Sequence, residues 1–188
     1  MEEKGFLSQF YTIDRFTGNY VIEIALRNYN EIFNIWDSST TKLKGLDPSF
    51  KTFLEECSSN IDMRQKVALR FIVQEQKKDL KLEEKIKKGI HNYFVYSLFT
   101  INNKLAIRRK KIIYYIFLSS IFVTFYFYFQ NVQTTDILKE IVLYSLTIGG
   151  WVFLWESFSL LFIQGNEMKK KKIQYKRLLN ASIVFRYQ

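Results

Sequence analysis

Few side chains in this chain are equipped for chemistry, and most of those stand in or beside apolar runs. Glu156 interrupts Ile141–Ile163 (IVLYSLTIGGWVFLWESFSLLFI), a stretch with no other charge. An acid within a membrane span costs about 2.5–3.5 kcal/mol at its centre and is kept where it meets water or a bundle interior. Two uses fit Glu156. One copy per subunit would build a carboxylate ring in a cation pathway. Alternatively, a hydrated side chain near the membrane surface would pair with nearby cations. In Ile112–Phe129 (IIYYIFLSSIFVTFYFYF), Ser120, Thr124 and Tyr128 recur every fourth residue and so share one helix face. With Glu156 they are the candidate pore lining. Ordinary helix packing is the competing use, since Ser145 and Gly149 have the small-xxx-small spacing that lets helices approach closely.

The cations beside these runs form two clusters: Arg108, Arg109, Lys110 and Lys111, and Lys169, Lys170, Lys171 and Lys172. Phosphates of a nucleotide or DNA oligomer would suit them, with Tyr93, Tyr96 and Tyr175 for base stacking. Anionic lipid and control of topology account for the same charges without a ligand. Catalysis finds little support. His91 is the only histidine and Cys57 the only cysteine, which excludes an intrachain disulfide and a cysteine-rich metal site. No Walker A, HExxH or GxSxG pattern occurs. Asp37, Ser38 and Asp47 are explained by turn and helix-cap roles. The expectation is a protein that is not an enzyme and needs no cofactor or metal.

Something must position these groups, and the charge distribution says what. The chain has 188 residues, 18% aromatic, and a net charge of +10. Residues 1–107 are nearly balanced at +2, whereas 108–111 carry +4 and 167–188 carry +6. Cations gathered at the ends of apolar runs mark membrane topology; a nucleic-acid-binding domain spreads its excess over the fold. As helix, the uncharged Ile112–Phe129 is about 27 Å long, close to the hydrocarbon thickness. Spans are expected at about 112–130 and 141–163. The short polar linker Asn131–Glu140 then lies outside and both termini lie in the cytoplasm. The acidic start of Met1–Phe10 lacks the pattern of a cleavable signal.

Outside the spans the pattern is α+β. Val21–Arg27 and Lys66–Gln74 alternate as half-buried strands. Asp47-Pro48 reads as cap and first turn of a short helix with Phe50, Phe53, Leu54 and Cys57 on one face, ending near Ser58–Asn60. Residues from about Leu80 to Ile107 are helical and run on into the first span, with Gly89 as the weak point. Met168–Leu179 reads as a basic amphipathic helix, and Ser182–Tyr187 as a strand returning to the first two, because two strands alone make a marginal sheet. The expected fold class is therefore membrane α+β: a two-span transmembrane helical hairpin with a small cytoplasmic α+β domain of about three strands. The domains are 1–107, a sensor and assembly domain; 108–166, the hairpin; and 167–188, a basic helix and strand joining the first domain.

Residues 20–187 resemble a family of small two-span bacterial membrane proteins. The resemblance rests on Ile22–Arg27, IFNIWDS at Ile32–Ser38, LDPSFKTF at Leu46–Phe53, Val67–Val73, HNYFVY at His91–Tyr96, Arg108–Lys111, and above all IGGWVFLW at Ile148–Trp155. The plan is similar to that of the membrane effectors of the Hailong anti-phage defence system. It departs after Trp155: Glu156-Ser157 stands where Arg-Pro is common, and Gly165-Asn166-Glu167 where Asp-Trp-Trp-Pro follows, so no role of those residues carries over. What the resemblance implies is a homo-oligomeric, tetrameric ion channel in the bacterial inner membrane. It also implies control by DNA oligomers from a partner nucleotidyltransferase, which hold the channel closed until infection removes them. The expected partners are thus membrane lipids, further copies of the chain, and an oligonucleotide signal. The competing readings are a non-conducting membrane scaffold and a transporter accessory subunit, each docking a cytoplasmic partner.

Overall fold

A computed structural model describes residues 11–34, 36–37, 44–74, 78–130 and 137–187. The expectations for Met1–Phe10, Ser38 and the linker residues 131–136 lie outside the described residues. The chain is mostly helical, with a small four-stranded mixed sheet and two helical runs long and apolar enough to cross a membrane. It divides into two units, Met1–Thr100 with Lys171–Gln188, and Ile101–Lys170.

In the first unit the strands are β1 (Thr12–Ile13), β2 (Tyr20–Leu26), β3 (Val67–Val73) and β4 (Ser182–Tyr187), in that order across the sheet. β1 pairs antiparallel with β2, while β2, β3 and β4 are mutually parallel. Alternation in the sequence becomes register here. Ile22, Leu69 and Ile183 stand side by side, as do Ile24, Phe71 and Phe185, and then Leu26, Val73 and Tyr187. These three rows form the inner face. Phe71 stacks on Phe185 with centroids 5.1 Å apart, and Phe50 meets Phe71 from the helix above. The short β1 is a fourth strand beyond the three expected. With only two residues it offers no alternation to read.

Parallel neighbours require a crossover. Helix α1 (Pro48–Asn60) provides it between β2 and β3. The connection from β3 to β4 contains α2 (Leu80–Gln130), α3 (Ile137–Phe158), a π-helical turn (Ser159–Ile163) and α4 (Gln164–Leu179). Both apolar runs are thus inserted into one β-to-β connection. The domain boundaries expected at 107/108 and 166/167 fall inside α2 and α4.

Local chemistry explains the helix limits. Asp47 caps α1, accepting from the Ser49 and Phe50 amides at 2.9 and 3.2 Å, and Pro48 fills the first turn where no amide is needed. At the other end, Arg177 donates to the carbonyls of Ser58, Ile61 and Asp62 and to the Ser58 hydroxyl, covering groups that a helix terminus leaves open. The buried stripe of α1 runs along every fourth residue. Phe50, Leu54 and Ser58 are buried, whereas Phe53, expected on the inner face, is 41% exposed. Gly89 does not interrupt α2, because the Phe33 ring occupies the space beside it; a Cβ there would lie 2.6 Å from the ring.

In the second unit, α2 and α3 pack as antiparallel neighbours: Ser119 meets Gly150, Phe122 meets Gly149, and Tyr115 meets Phe153. The Ser119 hydroxyl donates to the Gly150 carbonyl at 2.9 Å, a buried bond between helices. Gly149 gives Phe122 its space, since a Cβ there would sit 2.6 Å from that ring. Along the apolar runs most of the surface is open. Only 11% of the most apolar window of α2, and 17% of that in Ile137–Leu179, is buried.

Candidate functional site

Ser119, Phe122 and Tyr115 turn one face of α2 toward α3. At about 100° per residue, Ser120, Thr124 and Tyr128 lie roughly 100–180° round the helix from Ser119, on the side away from α3. There they line an open groove of about 460 Å³ with Phe117, Ile121 and Phe125. The expected stripe is therefore one continuous surface, and it faces outward. Its hydroxyls are locally satisfied: Ser120 donates to the Ile116 carbonyl at 2.9 Å and Thr124 to the Ser120 carbonyl at 2.8 Å. Such back-bonding lets a hydroxyl sit in an apolar environment without a further partner.

Glu156 is half-buried on α3. Among the described residues it makes no hydrogen bond and no ion pair, so neither basic cluster neutralises it within the chain. Its neighbour Ser157 is buried and donates to the Phe153 carbonyl at 3.0 Å. Gly149, two turns earlier, shares the face of Glu156 and lies against Phe122. The carboxylate thus borders the α2–α3 seam. It stands about 9 Å along α3 from the Ser119–Gly150 level, in the direction opposite to Thr124 and Tyr128. One hairpin does not bring the four pore-lining candidates to a common depth. The π-helical turn Ser159–Ile163, which no sequence signal had marked, begins three residues after Glu156. Such turns shift the register of every side chain that follows.

The basic residues divide. Arg109, Lys110, Lys111, Lys169 and Lys170 are exposed, and Arg108 is half-buried and engaged. In the first unit, Lys172 is half-buried, and Lys171 pairs with Glu55 at 3.5 Å while its ammonium lies 5.5 Å from the Tyr175 ring centroid. Lys171 therefore serves the fold. Tyr175, expected to be open for stacking, is buried at 3% exposure, edge-on to Phe94, with its hydroxyl donating to Glu55. Tyr96 keeps the exposure a stacking role needs, at 58%.

Glu55 is a hub that sequence reasoning missed. Besides Tyr175 and Lys171, its carbonyl accepts from Gln174 and its carboxylate lies 3.9 Å from Lys51. Only the Lys51–Glu55 spacing was visible in the sequence; the other partners lie more than a hundred residues away. A second network joins Tyr29, Tyr187 and buried Glu83, with the tyrosine hydroxyls 2.8 Å apart. Burial, and then the bond to Glu55, pushes the Tyr175 hydroxyl well above the ordinary tyrosine range; burial and the bond to Glu83 do the same for Tyr187. No cluster of His, Cys, Asp or Glu among the described residues is arranged to hold a metal ion.

Compared with known proteins, the chain matches no family model, no curated sequence and no solved structure.

Proposed function

We propose that the chain is a two-span protein of the bacterial inner membrane, with the sheet-containing unit and both termini cytoplasmic, whose hairpins self-assemble around a cation pathway. Exposed apolar helix surface supports membrane insertion, because a helix buried in a soluble core would have that surface covered. The observation that carries the pathway is Glu156: an acid on an apolar helix with no partner among the described residues, in a position where hydrocarbon would penalise it. Water shared between copies relieves that cost. A single hairpin cannot enclose water, so conduction requires several copies. Control by the cytoplasmic unit fits the topology, since both apolar runs lie within the connection from β3 to β4. Anti-phage defence, a tetramer and an oligonucleotide signal are proposed on the resemblance in plan alone.

Glu156→Gln tests the pathway in reconstituted bilayers. The amide keeps the shape and removes the charge, so assembly should persist while cation over anion selectivity falls. Unaltered selectivity would remove Glu156 from the pathway. Absence of any conduction by the wild-type chain would favour the scaffold reading, to which the satisfied hydroxyls of Ser120 and Thr124 already lend support.

A further inference from the structure

The first unit contains a cavity of about 390 Å³ where β2 and β3 begin. Asn19 precedes β2, Arg64 and Lys66 precede β3, and Arg177 and Asn180 come from the end of α4 and the turn after it; all five line the cavity. Three of them are cationic, and no carboxylate is in the lining among the described residues. Its volume lies toward the small end of the roughly 300–1,000 Å³ typical of small-molecule sites.

Arg177 is the informative residue. Its guanidinium donates to the carbonyls of Ser58, Ile61, Asp62 and Gln65 and to the Ser58 hydroxyl, all of them neutral acceptors. No ion pair with a carboxylate is formed among the described residues. Its Nε is buried and has no hydrogen-bond partner among the described residues. A half-buried cation with no ion pair is costly unless an anion comes near it; with its terminal N–H groups already taken by neutral acceptors, Arg177 acts on the cavity through its charge. Two negative features lie nearby. The C-terminus of α1 contributes about half a charge. The Asp62 carboxylate acts on Arg177 electrostatically, while its Oδ1 is taken up by the Arg64 amide at 2.9 Å. Against three cations these leave the cavity positive.

We propose that this cavity is a phosphate-binding site, with Arg64, Lys66 and Arg177 as its cations and the amides of Asn19 and Asn180 as further donors. Three cations and two amide side chains drawn from three segments line one small cavity, a lining that suits a multiply charged oxyanion whose oxygens can each take a charge-assisted bond. The site joins α4, through Arg177, to the loop between α1 and β3, through Arg64 and Lys66. A bound phosphate therefore fastens the α4 end to that loop. This site is separate from the basic clusters at 108–111 and 169–172, and it stands or falls independently of conduction.

Calorimetric titration of the full-length protein in detergent, with inorganic phosphate and with a nucleoside 5′-monophosphate at constant ionic strength, tests the proposal. Saturable binding of either probe is expected, with the unphosphorylated nucleoside inert. Binding of inorganic phosphate identifies the free ion as sufficient; binding of the monophosphate alone identifies a phosphate carried on a larger ligand. Replacing Arg177 would uncap α1, so the decisive variant is Arg64→Gln with Lys66→Gln, two exposed side chains. It should weaken binding by about tenfold or more, while Arg186→Gln, which removes an exposed cation from β4, should leave it unchanged. No saturable binding of either probe, equal binding by the double variant, or equal loss in Arg186→Gln would overturn the site.

Discussion

The ring of Phe33 packs into the space beside Gly89 of α2. A glycine inside a helical pattern lowers helix propensity, yet here the missing Cβ is what admits the ring of a buried phenylalanine. Gly89→Leu should lower unfolding stability by about 1–3 kcal/mol, the usual cost of forcing atoms into packed space. Chemical denaturation would register it, and an unchanged midpoint would show that the ring moves aside freely. Tyr175 makes a different claim. Its proton is held above the ordinary value by burial and by Glu55. The unfolded chain releases that proton near pH 10, while the folded chain keeps it. Stability from this group is therefore complete below about pH 10 and declines as the pH rises above it. Tyr175→Phe should flatten that alkaline decline in melting temperature, leaving the share that belongs to Tyr187. An identical pH slope in the variant would remove Tyr175 from the account.

Among the elements, those with long regular patterns were readable in advance: β2, β3, β4, α1 and the passage of α2 into the first apolar run appear within a residue or so of expectation. The reason is that alternation and helical spacing are local properties. The parallel pairing, the two-residue β1 and the π-helical turn depend on distant partners, and nothing local reports them. The expected stripe of Ser120, Thr124 and Tyr128 is present on one face, but helix spacing says nothing about which face looks toward α3. Buried Ser119, one residue away, is the hydroxyl that crosses to the other helix. Ser119→Ala should weaken the hairpin by about 0.6 kcal/mol, the typical worth of such a bond between membrane helices, and steric-trap unfolding in bicelles would measure it. Removing Ser182–Gln188 should do much more, since Phe185 would no longer stack on Phe71 and the inner face of β3 would lose its neighbour. A truncated chain with an unchanged melting temperature would exclude β4 from the stability of the sheet.

At the scale of the molecule, connectivity ties the sheet to the two apolar runs. The parallel β3–β4 pair requires the chain to return through α3 and α4, so β4 reaches the sheet only after both apolar runs. Charge carried the topological reading in the sequence because Lys and Arg crowd the ends of the apolar runs that join this sheet. The same reading could not find Arg177, whose hydrogen-bond partners lie at residues 58–65, nor the cavity it lines. The central claim is that the two apolar runs cross a membrane and return the chain to the side on which it began. Cysteine accessibility tests it directly. In a Cys57→Ser background, one cysteine is placed in the linker as Thr134→Cys and, in a separate chain, one on exposed Ser59 of α1. A membrane-impermeant maleimide should label Thr134→Cys in intact spheroplasts and should reach Ser59→Cys only after the membrane is opened. Equal labelling of Ser59→Cys before opening, or protection of Thr134→Cys until opening, would contradict the two-span arrangement.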